Sequence, residues 1–331
     1  MIRVAINGFG RIGRRVFRLI QDREDIQVVA INDLADAKTL SHLLKYDSIH
    51  GVSKQDISYT QHDIVLSGRA IPLLNSNHPK LIDWSPFNVD FVIESTGKFK
   101  TSEDLIHHIN NGAKRVILSV PPVEDDIKTV VLGVNDHEIS GDELIISNAS
   151  CTTNNAAPMI SVINELCGVK QAYITTVHSY TTDQSLHDQP HKDLRRARAA
   201  GQSIVPTTTG AAKALTKIFP KLSDVIGGCG IRVPVANGSL TDITFNVEKT
   251  VTIDDINLAF KTAAETHLKA ILQYTEDPIV SIDIVGNSHS CIFDAQMTSV
   301  IGNMIKIVGW YDNETGYSSR ILDLICNLSM K

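Results

Sequence analysis

One cysteine lies where its chemistry could be used. The segment SNASCTTNNAAP (147–158) puts Cys151 among small polar residues, after the apolar run ELIIS (143–147) and at the start of a helical pattern. A thiol at a helix N-terminus lies in positive potential, so we expect its pKa to fall from about 8.5 toward neutrality. Cys151 is therefore a candidate nucleophile. Pro158, inside the predicted helix, should kink it.

A nucleophilic thiol needs a base. The best-placed of the 12 histidines is His178, near the end of the predicted strand AYITTVHSYT (172–181). The sequence alone leaves two interpretations open, because a histidine near a strand end can also be a hydrogen-bonded surface residue. If His178 meets Cys151, the two side chains could perform nucleophilic catalysis.

A second candidate site lies at the N-terminus. The β-rich run IRVAI (2–6) is followed by Gly8-Phe9-Gly10-Arg11-Ile12-Gly13, by a helical pattern, and by a second strand, QVVAIND (27–33). Glycines between a strand and a helix leave backbone N–H groups free to receive a pyrophosphate. This context favours a dinucleotide site over an ordinary glycine turn. Asn7 and Arg11 could belong to the site or could be turn residues only.

The cofactor type is indicated by Asp33, at the end of the second strand, 20 residues after Gly13. A carboxylate there can bind the ribose hydroxyls of adenosine, and it would repel a 2′-phosphate. The following Leu34-Ala35-Asp36 offers no arginine to compensate. The sequence therefore predicts NAD rather than NADP, the alternative being that Asp33 is a turn residue.

The predicted elements that position these residues fall into two groups. Residues 1–150 show short apolar β-branched runs alternating with helices, which predicts an α/β, Rossmann-type domain with a mostly parallel sheet. Its later elements are a hairpin over 63–74, the helix 102–112, and strands at 91–96, 115–120, 129–134 and 143–147.

The second group, residues 151–314, has longer strands joined by short Gly/Asn turns, typical of antiparallel sheets. We predict an α+β catalytic domain with strands at 172–181, 227–236, 239–249, 278–286, 290–300 and 303–313. One helix should begin at Thr252, with Asp255 completing a near capping box, and run through Ile271. The polar segment 181–203 lacks a strand pattern. An amphipathic helix over about 315–331 ends the chain and should join the first domain.

Composition excludes several classes of protein. The 331 residues are 43% hydrophobic and 21% charged, with a net charge of −6, so general attraction to nucleic acid or anionic membranes is not expected. No apolar run approaches the roughly 18 residues that span a bilayer. The five cysteines form no CxxC pair, which disfavours a disulfide framework or a structural metal site. We expect a cytoplasmic protein without bound metal.

Several motifs in order resemble one family, the phosphorylating glyceraldehyde-3-phosphate dehydrogenases. The matching segments cover essentially the whole chain: INGFGRIGR, SNASCTTN, TTVHSYT, DLRRARAA, TTTGAAKA, RVPV and WYDNETGYS. The resemblance implies oxidation of D-glyceraldehyde 3-phosphate to 1,3-bisphosphoglycerate, a step of glycolysis and gluconeogenesis, with NAD and inorganic phosphate. Cys151 would form a thiohemiacetal and then a thioester, with His178 as base. It also implies a homotetramer whose 181–203 loop lines a neighbour's cofactor site.

The resemblance also implies roles for individual residues, carried over by motif position. Around the substrate phosphate it implies Thr181, Asp183, Arg196 and Arg232. Around the attacking phosphate it implies Ser150, Thr152, Thr209 and Gly210. Around NAD it implies Asn7, Gly8, Gly10, Arg11, Ile12, Gly13, Asp33, Ser119, Asn313 and Tyr317, with Asn313 holding the nicotinamide carboxamide.

Some features depart from the family pattern or leave alternatives. Asn155 stands where most members have a second cysteine, Thr182 replaces an asparagine or alanine, and Gln189 precedes Pro190 where leucine is frequent. The nearest alternative is erythrose-4-phosphate dehydrogenase, which releases its thioester by hydrolysis; Thr181 favours the triose-phosphate enzyme. A nucleotide-fold binding protein that has lost catalysis is a more distant alternative. Arg232, an arginine in an apolar strand, could instead form a buried ion pair.

Overall fold

The computed structural model describes residues 1–330 and divides them into two compact units. The first unit comprises Met1–Val130, Glu138–Ala149 and the C-terminal segment from Ser318. The second comprises Val131–His137 and Ser150–Tyr317. Each unit carries one large sheet, and the two are described in turn.

The first unit is built on a nine-stranded sheet in which parallel pairing predominates. Its strand order is β10-β11-β9-β8-β1-β2-β7-β6-β5, and only the β5–β6 and β6–β7 pairs are antiparallel. The predicted hairpin at 63–74 is thus confirmed. Its strands are β1 (Ile2–Asn7), β2 (Ile26–Asn32), β5 (Ile57–Tyr59), β6 (Asp63–Leu66), β7 (Arg69–Leu74), β8 (Phe91–Glu94), β9 (Arg115–Leu118), β10 (Lys128–Thr129) and β11 (Ile145–Ser147). Two further strands, β3 (Tyr46–Asp47) and β4 (Gly51–Val52), pair with each other as a separate small sheet.

Three helices of this unit begin at recognisable signals. They are α1 (Arg11–Ile20), α2 (Ala37–Lys45) and α3 (Ser102–Asn110). Gly10 precedes α1, while the side chains of Asp36 and Thr101 accept the N–H groups of Thr39 and Asp104 and so cap α2 and α3. The central strands are buried on both faces, as the continuous apolar runs predict.

The second unit is built on an eight-stranded, mainly antiparallel sheet. Its order is β13-β14-β12-β15-β19-β17-β16, with β18 paired to β19; β12–β14 and β16–β17 are parallel. The strands are β12 (Val169–Ser179), β13 (Val205–Thr207), β14 (Ile226–Val233), β15 (Ser239–Val247), β16 (Leu272–Thr275), β17 (Cys291–Asp294), β18 (Ser299–Ile301) and β19 (Met304–Tyr311). The helices are α4 (Cys151–Cys167), α5 (Ala211–Ile218) and α6 (Ile253–Glu265); α7 (Thr315–Ser329) ends the chain.

Helix α4 is the central helix of the second unit. It packs against β15, β17, β19, α5 and α6, and most of its side chains are buried. The helix continues from Cys151 through Pro158 to Cys167. Because a buried helix has few alternative positions, the residue at its first turn is held firmly.

Four element predictions in the chain were wrong in extent or kind. Residues 278–286 form turns instead of a strand, because the Asp283 carboxylate accepts the N–H of Val280 and closes the chain on itself. Helix α6 ends at Glu265 instead of Ile271, although its capping box is present, and the unpredicted strand β16 follows. The predicted strand 290–300 is split by a 3-10 turn at Ala295–Met297, and only Lys128–Thr129 pairs as β10 near the predicted strand 129–134.

None of the helices in residues 1–330 combines the length and apolar character needed to cross a membrane.

Candidate active site and nucleotide site

The structure brings the candidate nucleophile and base together within the second unit. Cys151 is the first residue of α4, and the Ser150 hydroxyl caps the helix by accepting the Thr153 N–H at 3.1 Å. The Cys151 Sγ lies 3.4 Å from Nε2 of His178, which β12 carries one residue before its end. His178 is 5% exposed and Cys151 is partly buried. The predicted pairing is therefore present in the geometry.

The tautomer of His178 follows from its second contact. Its Nδ1 lies 2.7 Å from the carbonyl oxygen of Ser179, which can only accept a hydrogen bond. Nδ1 therefore carries the ring proton, and the Nε2 lone pair faces the Cys151 thiol. Arg232 Nη1, a donor, lies 2.8 Å from Nδ1 and 2.9 Å from the Ser179 oxygen; with the ring proton on Nδ1, the oxygen is the acceptor open to it.

Electrostatics favour the neutral forms of this pair. Burial lowers the pKa of His178 to about 3, and the charge of Arg232 adds to the effect. Burial also raises the pKa of the Cys151 thiol, although the Arg232 guanidinium and the Thr152 N–H act in the opposite direction. The expected net fall of the cysteine pKa is thus wrong for this structure, because lost hydration outweighs the helix end. Cys151 needs a base, and His178 has the lone pair available.

Arg232 is positioned by strand register. Strands β12 and β14 are parallel, and Arg232 is paired directly with His178. Its guanidinium bonds to the Ser179 carbonyl, so its charge lies against the thiol and imidazole. The apolar strand thus holds the arginine beside the candidate pair.

A buried tyrosine behind the pair was not found from the sequence. Tyr311 ends β19, and its hydroxyl lies 2.9 Å from the hydroxyls of both Thr152 and Thr176. Its ring packs edge-on against His178 at a centroid distance of 5.9 Å. Tyr311 therefore supports the imidazole and the first turn of α4. Its place inside WYDNETGYS was the only signal in the sequence.

The remaining candidates for anion binding lie on two helix ends and one loop. Arg196 pairs with Asp183 and also donates to the Thr207 hydroxyl at 3.0 Å; its charge contributes to the low pKa of His178. Thr209 and Gly210 precede α5, with the Thr209 hydroxyl accepting the Ala211 N–H. Within the site, Thr181 is partly exposed. The Thr152 hydroxyl, in the first turn of α4, is hydrogen-bonded to the Tyr311 hydroxyl.

Asn313 has a fixed amide orientation. Its Oδ1 accepts hydrogen bonds from the Ser179 hydroxyl at 2.9 Å and the Ser239 hydroxyl at 3.0 Å. The amide nitrogen is therefore the group left to serve a ligand, and it can only donate. Tyr317, in the first turn of α7, is buried.

In the glycine loop of the first unit, Gly8 and Gly13 are closely packed against neighbouring atoms, whereas Gly10 has open space beside it. A Cβ on Gly8, whose φ is +91°, would lie 2.6 Å from the Thr96 nitrogen, and one on Gly13 would lie 2.3 Å from the Gly8 oxygen. A Cβ on Gly10 would meet nothing within 4 Å. The loop therefore leaves space at the N-terminus of α1, where a pyrophosphate binds in such folds.

Asp33 holds this loop, and Arg11, at the start of α1, makes a separate ion pair. The Asp33 carboxylate accepts the Phe9 N–H at 2.7 Å and the Ala35 N–H at 3.0 Å. Arg11 pairs with Asp47 at 2.8 Å. Ile12 follows in α1, and Ser119, after β9, is nearly buried. Asp33 therefore bonds to the turn that follows β2, and it also lines the pocket where the cofactor is expected.

A pocket of about 210 Å³ lies at this strand edge. The predicted residues Asn7, Gly8, Gly10 and Asp33 line it, together with residues that sequence reasoning missed: Asn32, Leu34, Ser76, Asn77, Ser95, Thr96, Lys98 and Phe99. Polar residues at the ends of β2 and β8 were the available signal. The open space beside Gly10, the Asp33 carboxylate and the polar residues that line the pocket fit an adenine dinucleotide. Among residues 1–330, no group of three or more His, Cys, Asp or Glu side chains could hold a metal ion.

Two family models match the chain. One is described as glyceraldehyde 3-phosphate dehydrogenase, NAD binding domain, and matches residues 2–102; the other is described as the C-terminal domain of the same enzyme and matches residues 150–313. The first confirms NAD as the cofactor. The resemblance seen in the sequence motifs is confirmed as well.

Relatives match over almost their whole length. Glyceraldehyde-3-phosphate dehydrogenase 1 of Bacillus cereus is 49% identical, over 100% of this chain and 99% of its own. The dehydrogenase of Geobacillus stearothermophilus is 49% identical over 100% and 99%, and that of Borreliella burgdorferi is 52% identical over 98% of both.

Proposed function

Because the chain belongs to the glyceraldehyde-3-phosphate dehydrogenase family, we propose that it converts D-glyceraldehyde 3-phosphate, NAD and inorganic phosphate to 1,3-bisphosphoglycerate. The observation that carries the proposal is the 3.4 Å contact between the Cys151 sulfur and the lone-pair nitrogen of His178. Residues 1–150 with the C-terminal helix would hold the cofactor, and residues 151–314 would carry the chemistry.

The first step is thiol addition. Cys151 Sγ bonds to the aldehyde carbon while its proton passes to Nε2 of His178, which the Ser179 carbonyl holds in the accepting tautomer. The imidazolium then protonates the new alkoxide to give a thiohemiacetal. The backbone N–H of Cys151, at the start of α4, supplies a second donor to that oxygen.

The second step oxidises the same carbon. NAD, when bound, supplies the acceptor for the hydride. His178 takes the hydroxyl proton back while the hydride leaves the carbon, so two electrons and two protons are removed in all and a thioester to Cys151 remains. Asn313, whose amide can only donate, suits the carbonyl oxygen of a carboxamide, and Tyr317 would lie beside the ring.

The third step uses phosphate in place of water. A phosphate oxygen attacks the thioester carbon, the C–S bond breaks, and the Cys151 sulfur recovers its proton from His178. Two cationic side chains near the pair, Arg196 and Arg232, would hold the substrate phosphate with Thr181, while Asp183 orients Arg196. The attacking phosphate would bind at the ends of two helices, through Ser150, Thr152, Thr209 and Gly210.

Location and assembly are part of the same proposal. Five free cysteines, one of them the nucleophile, suit a reducing compartment, and this supports the cytoplasm. A homotetramer is proposed from the family, with the 181–203 loop serving a neighbouring subunit. Three leucine or isoleucine side chains in or beside this loop are strongly exposed: Leu186, Leu194 and Ile204.

The deciding experiment is a comparison of substrates with and without phosphate. NADH formation is followed with glyceraldehyde 3-phosphate and with erythrose 4-phosphate, each in buffers containing or lacking inorganic phosphate. We expect sustained turnover only with the triose phosphate plus phosphate. A rate that does not depend on phosphate, or that is higher with the tetrose, would instead support the hydrolytic erythrose-4-phosphate enzyme.

A further inference from the structure

A series of buried hydrogen bonds leads to the nucleotide pocket from three side chains to which the proposed function gives no role, Trp84, His108 and Glu94. Its members are Trp84, His108 and Glu94, each fully buried, followed by Asn7 and Asn32, which are at most 3% exposed. All five belong to the first unit. The large majority of buried polar side chains in proteins are hydrogen-bonded, and here every link has a partner.

One end of this series of hydrogen bonds fixes a histidine tautomer. The indole Nε1 of Trp84, which can only donate, lies 3.0 Å from Nδ1 of His108. Nδ1 must therefore offer its lone pair, and the single ring proton lies on Nε2. That nitrogen faces Oε2 of Glu94 at 3.2 Å. Trp84 thus makes His108 a donor to the carboxylate.

The carboxylate of Glu94 joins two loops of the pocket. Its Oε2 also accepts from the Asn7 amide, at 2.5 Å, and its Oε1 accepts from the Thr96 backbone N–H at 2.9 Å and from the Thr96 hydroxyl. Asn7 ends β1 just before the glycine loop, and Thr96 follows β8. One carboxylate therefore holds the first turn after each of two neighbouring strands.

At the other end of this series of hydrogen bonds, Ser76 fixes the orientation of the Asn32 and Asn7 side-chain amides. The Ser76 backbone N–H donates to Oδ1 of Asn32 at 2.8 Å, so the Asn32 amide nitrogen is the donor to Oδ1 of Asn7, at 2.7 Å. The Asn7 amide nitrogen is thereby left for Glu94. Donation therefore runs inward from both ends, from Trp84 and from Ser76, and converges on the Glu94 carboxylate.

The members of this hydrogen-bond series that lie farthest from Trp84 line the nucleotide pocket. Asn7, Asn32, Ser76 and Thr96 all line the pocket, and Gly8 lies so close to Thr96 that no Cβ fits between them. We propose that Trp84, His108 and Glu94 are positioning residues for NAD: without touching the cofactor, they hold Asn7 and Thr96 in the places that set its affinity. A change in Glu94 would displace both sides of the glycine loop.

The test measures NAD binding by titration calorimetry in the absence of aldehyde, so it does not depend on the proposed chemistry. Glu94→Gln keeps the shape but replaces one accepting oxygen by an NH2 donor, which faces donors in either orientation: Asn7 and His108, or the Thr96 N–H. We expect the NAD Kd to rise at least tenfold, while kcat at saturating NAD changes less than twofold. Trp84→Phe removes the N–H together with part of the indole ring, a loss of packing that the Leu105→Ala control below matches in kind. It should raise Kd about threefold because His108 can then adopt the other tautomer.

The matched control is Leu105→Ala, a fully buried apolar position on α3, the helix that carries His108. It should lower the melting temperature and leave the NAD Kd unchanged. The proposal is overturned if Leu105→Ala weakens NAD binding as much as Glu94→Gln and Trp84→Phe do, when the variants have lost the same melting temperature. It is also overturned if the NAD Kd of Glu94→Gln and that of Trp84→Phe both lie within twofold of the parent value. If Glu94→Gln fails to fold, the comparison of NAD Kd between Trp84→Phe and Leu105→Ala tests the proposal.

Discussion

The two side chains of the candidate centre depend on each other for reactivity. The buried thiol has a raised pKa and the buried imidazole a lowered one, so the resting pair is neutral and proton transfer accompanies bond formation. We predict that iodoacetamide at pH 7 alkylates Cys151 before the fully buried Cys167 and Cys291. His178→Asn should slow that reaction at least tenfold, because the base is lost. Peptide mapping with mass spectrometry measures both rates.

Asparagine is chosen because its amide can replace the Nδ1 donor to the Ser179 carbonyl and so preserve the local fold. A matched circular dichroism melt provides the control. If the variant alkylates at the parental rate, or if the other thiols react as fast as Cys151, then His178 does not activate the cysteine.

The buried imidazole also predicts an acid sensitivity of the fold. Below its ordinary pKa of 6.5 the unfolded chain binds a proton at His178, whereas the folded chain does so only near pH 3. Stability supplied by the neutral ring is thus present above pH 6.5 and falls by up to about 1.4 kcal/mol per pH unit below it. His178→Asn should therefore lose melting temperature less steeply between about pH 6.5 and 4.5. Parallel curves for the two proteins would contradict the low pKa.

At the scale of elements, the glycine loop offers a paired prediction. Gly8→Ala forces a methyl group to 2.6 Å from the Thr96 nitrogen at a φ of +91°, and should cost at least about 2 kcal/mol of unfolding free energy. Gly10→Ala meets nothing within 4 Å, so its melting temperature should be unchanged, while NAD binding weakens because the methyl group enters the space for the pyrophosphate. Denaturant melts and NAD titrations separate the two. Equal stability of the variants would refute the close packing at Gly8.

Elements with strong local signals could be predicted from the sequence, and weaker ones could not. The strand, glycine loop, helix and strand from 2 to 33 combine burial with helix and turn signals, and the structure has them. The run 278–286 alternates like a strand, but the Asp283 side chain closes a turn there. Strand β16 was missed because Leu268 and Ile271 continue the apolar spacing of α6 beyond its end.

The site shows a similar limit, because contacts across sheets depend on register. His178 and Cys151 were paired on motif order, and their separation became measurable only through the positions of α4 and β12. Tyr311 and Glu94 gave no sequence signal of their own, since an aromatic or acidic residue at a strand end has many ordinary explanations. Their roles follow from hydrogen bonds to residues far away in the chain.

At the scale of the whole molecule, the prediction concerns assembly. Each chain has a mass of 36.3 kDa, and the polar 181–203 segment exposes Leu186 and Leu194. Such exposed side chains in an ordered loop favour burial against another copy. Sedimentation at working concentration should give a particle of four chains, and Leu194→Glu should shift it toward smaller species. A monomer at that concentration would contradict the proposed tetramer.

The central claim is that Cys151 carries the acyl group until phosphate removes it. The most direct measurement mixes the protein with NAD and glyceraldehyde 3-phosphate in phosphate-free buffer, quenches it in acid, and maps the acylated peptide by mass spectrometry. The account predicts a thioester on Cys151 that accumulates with one equivalent of NADH and disappears on addition of phosphate. No adduct on Cys151, or an adduct that phosphate leaves in place, would contradict it.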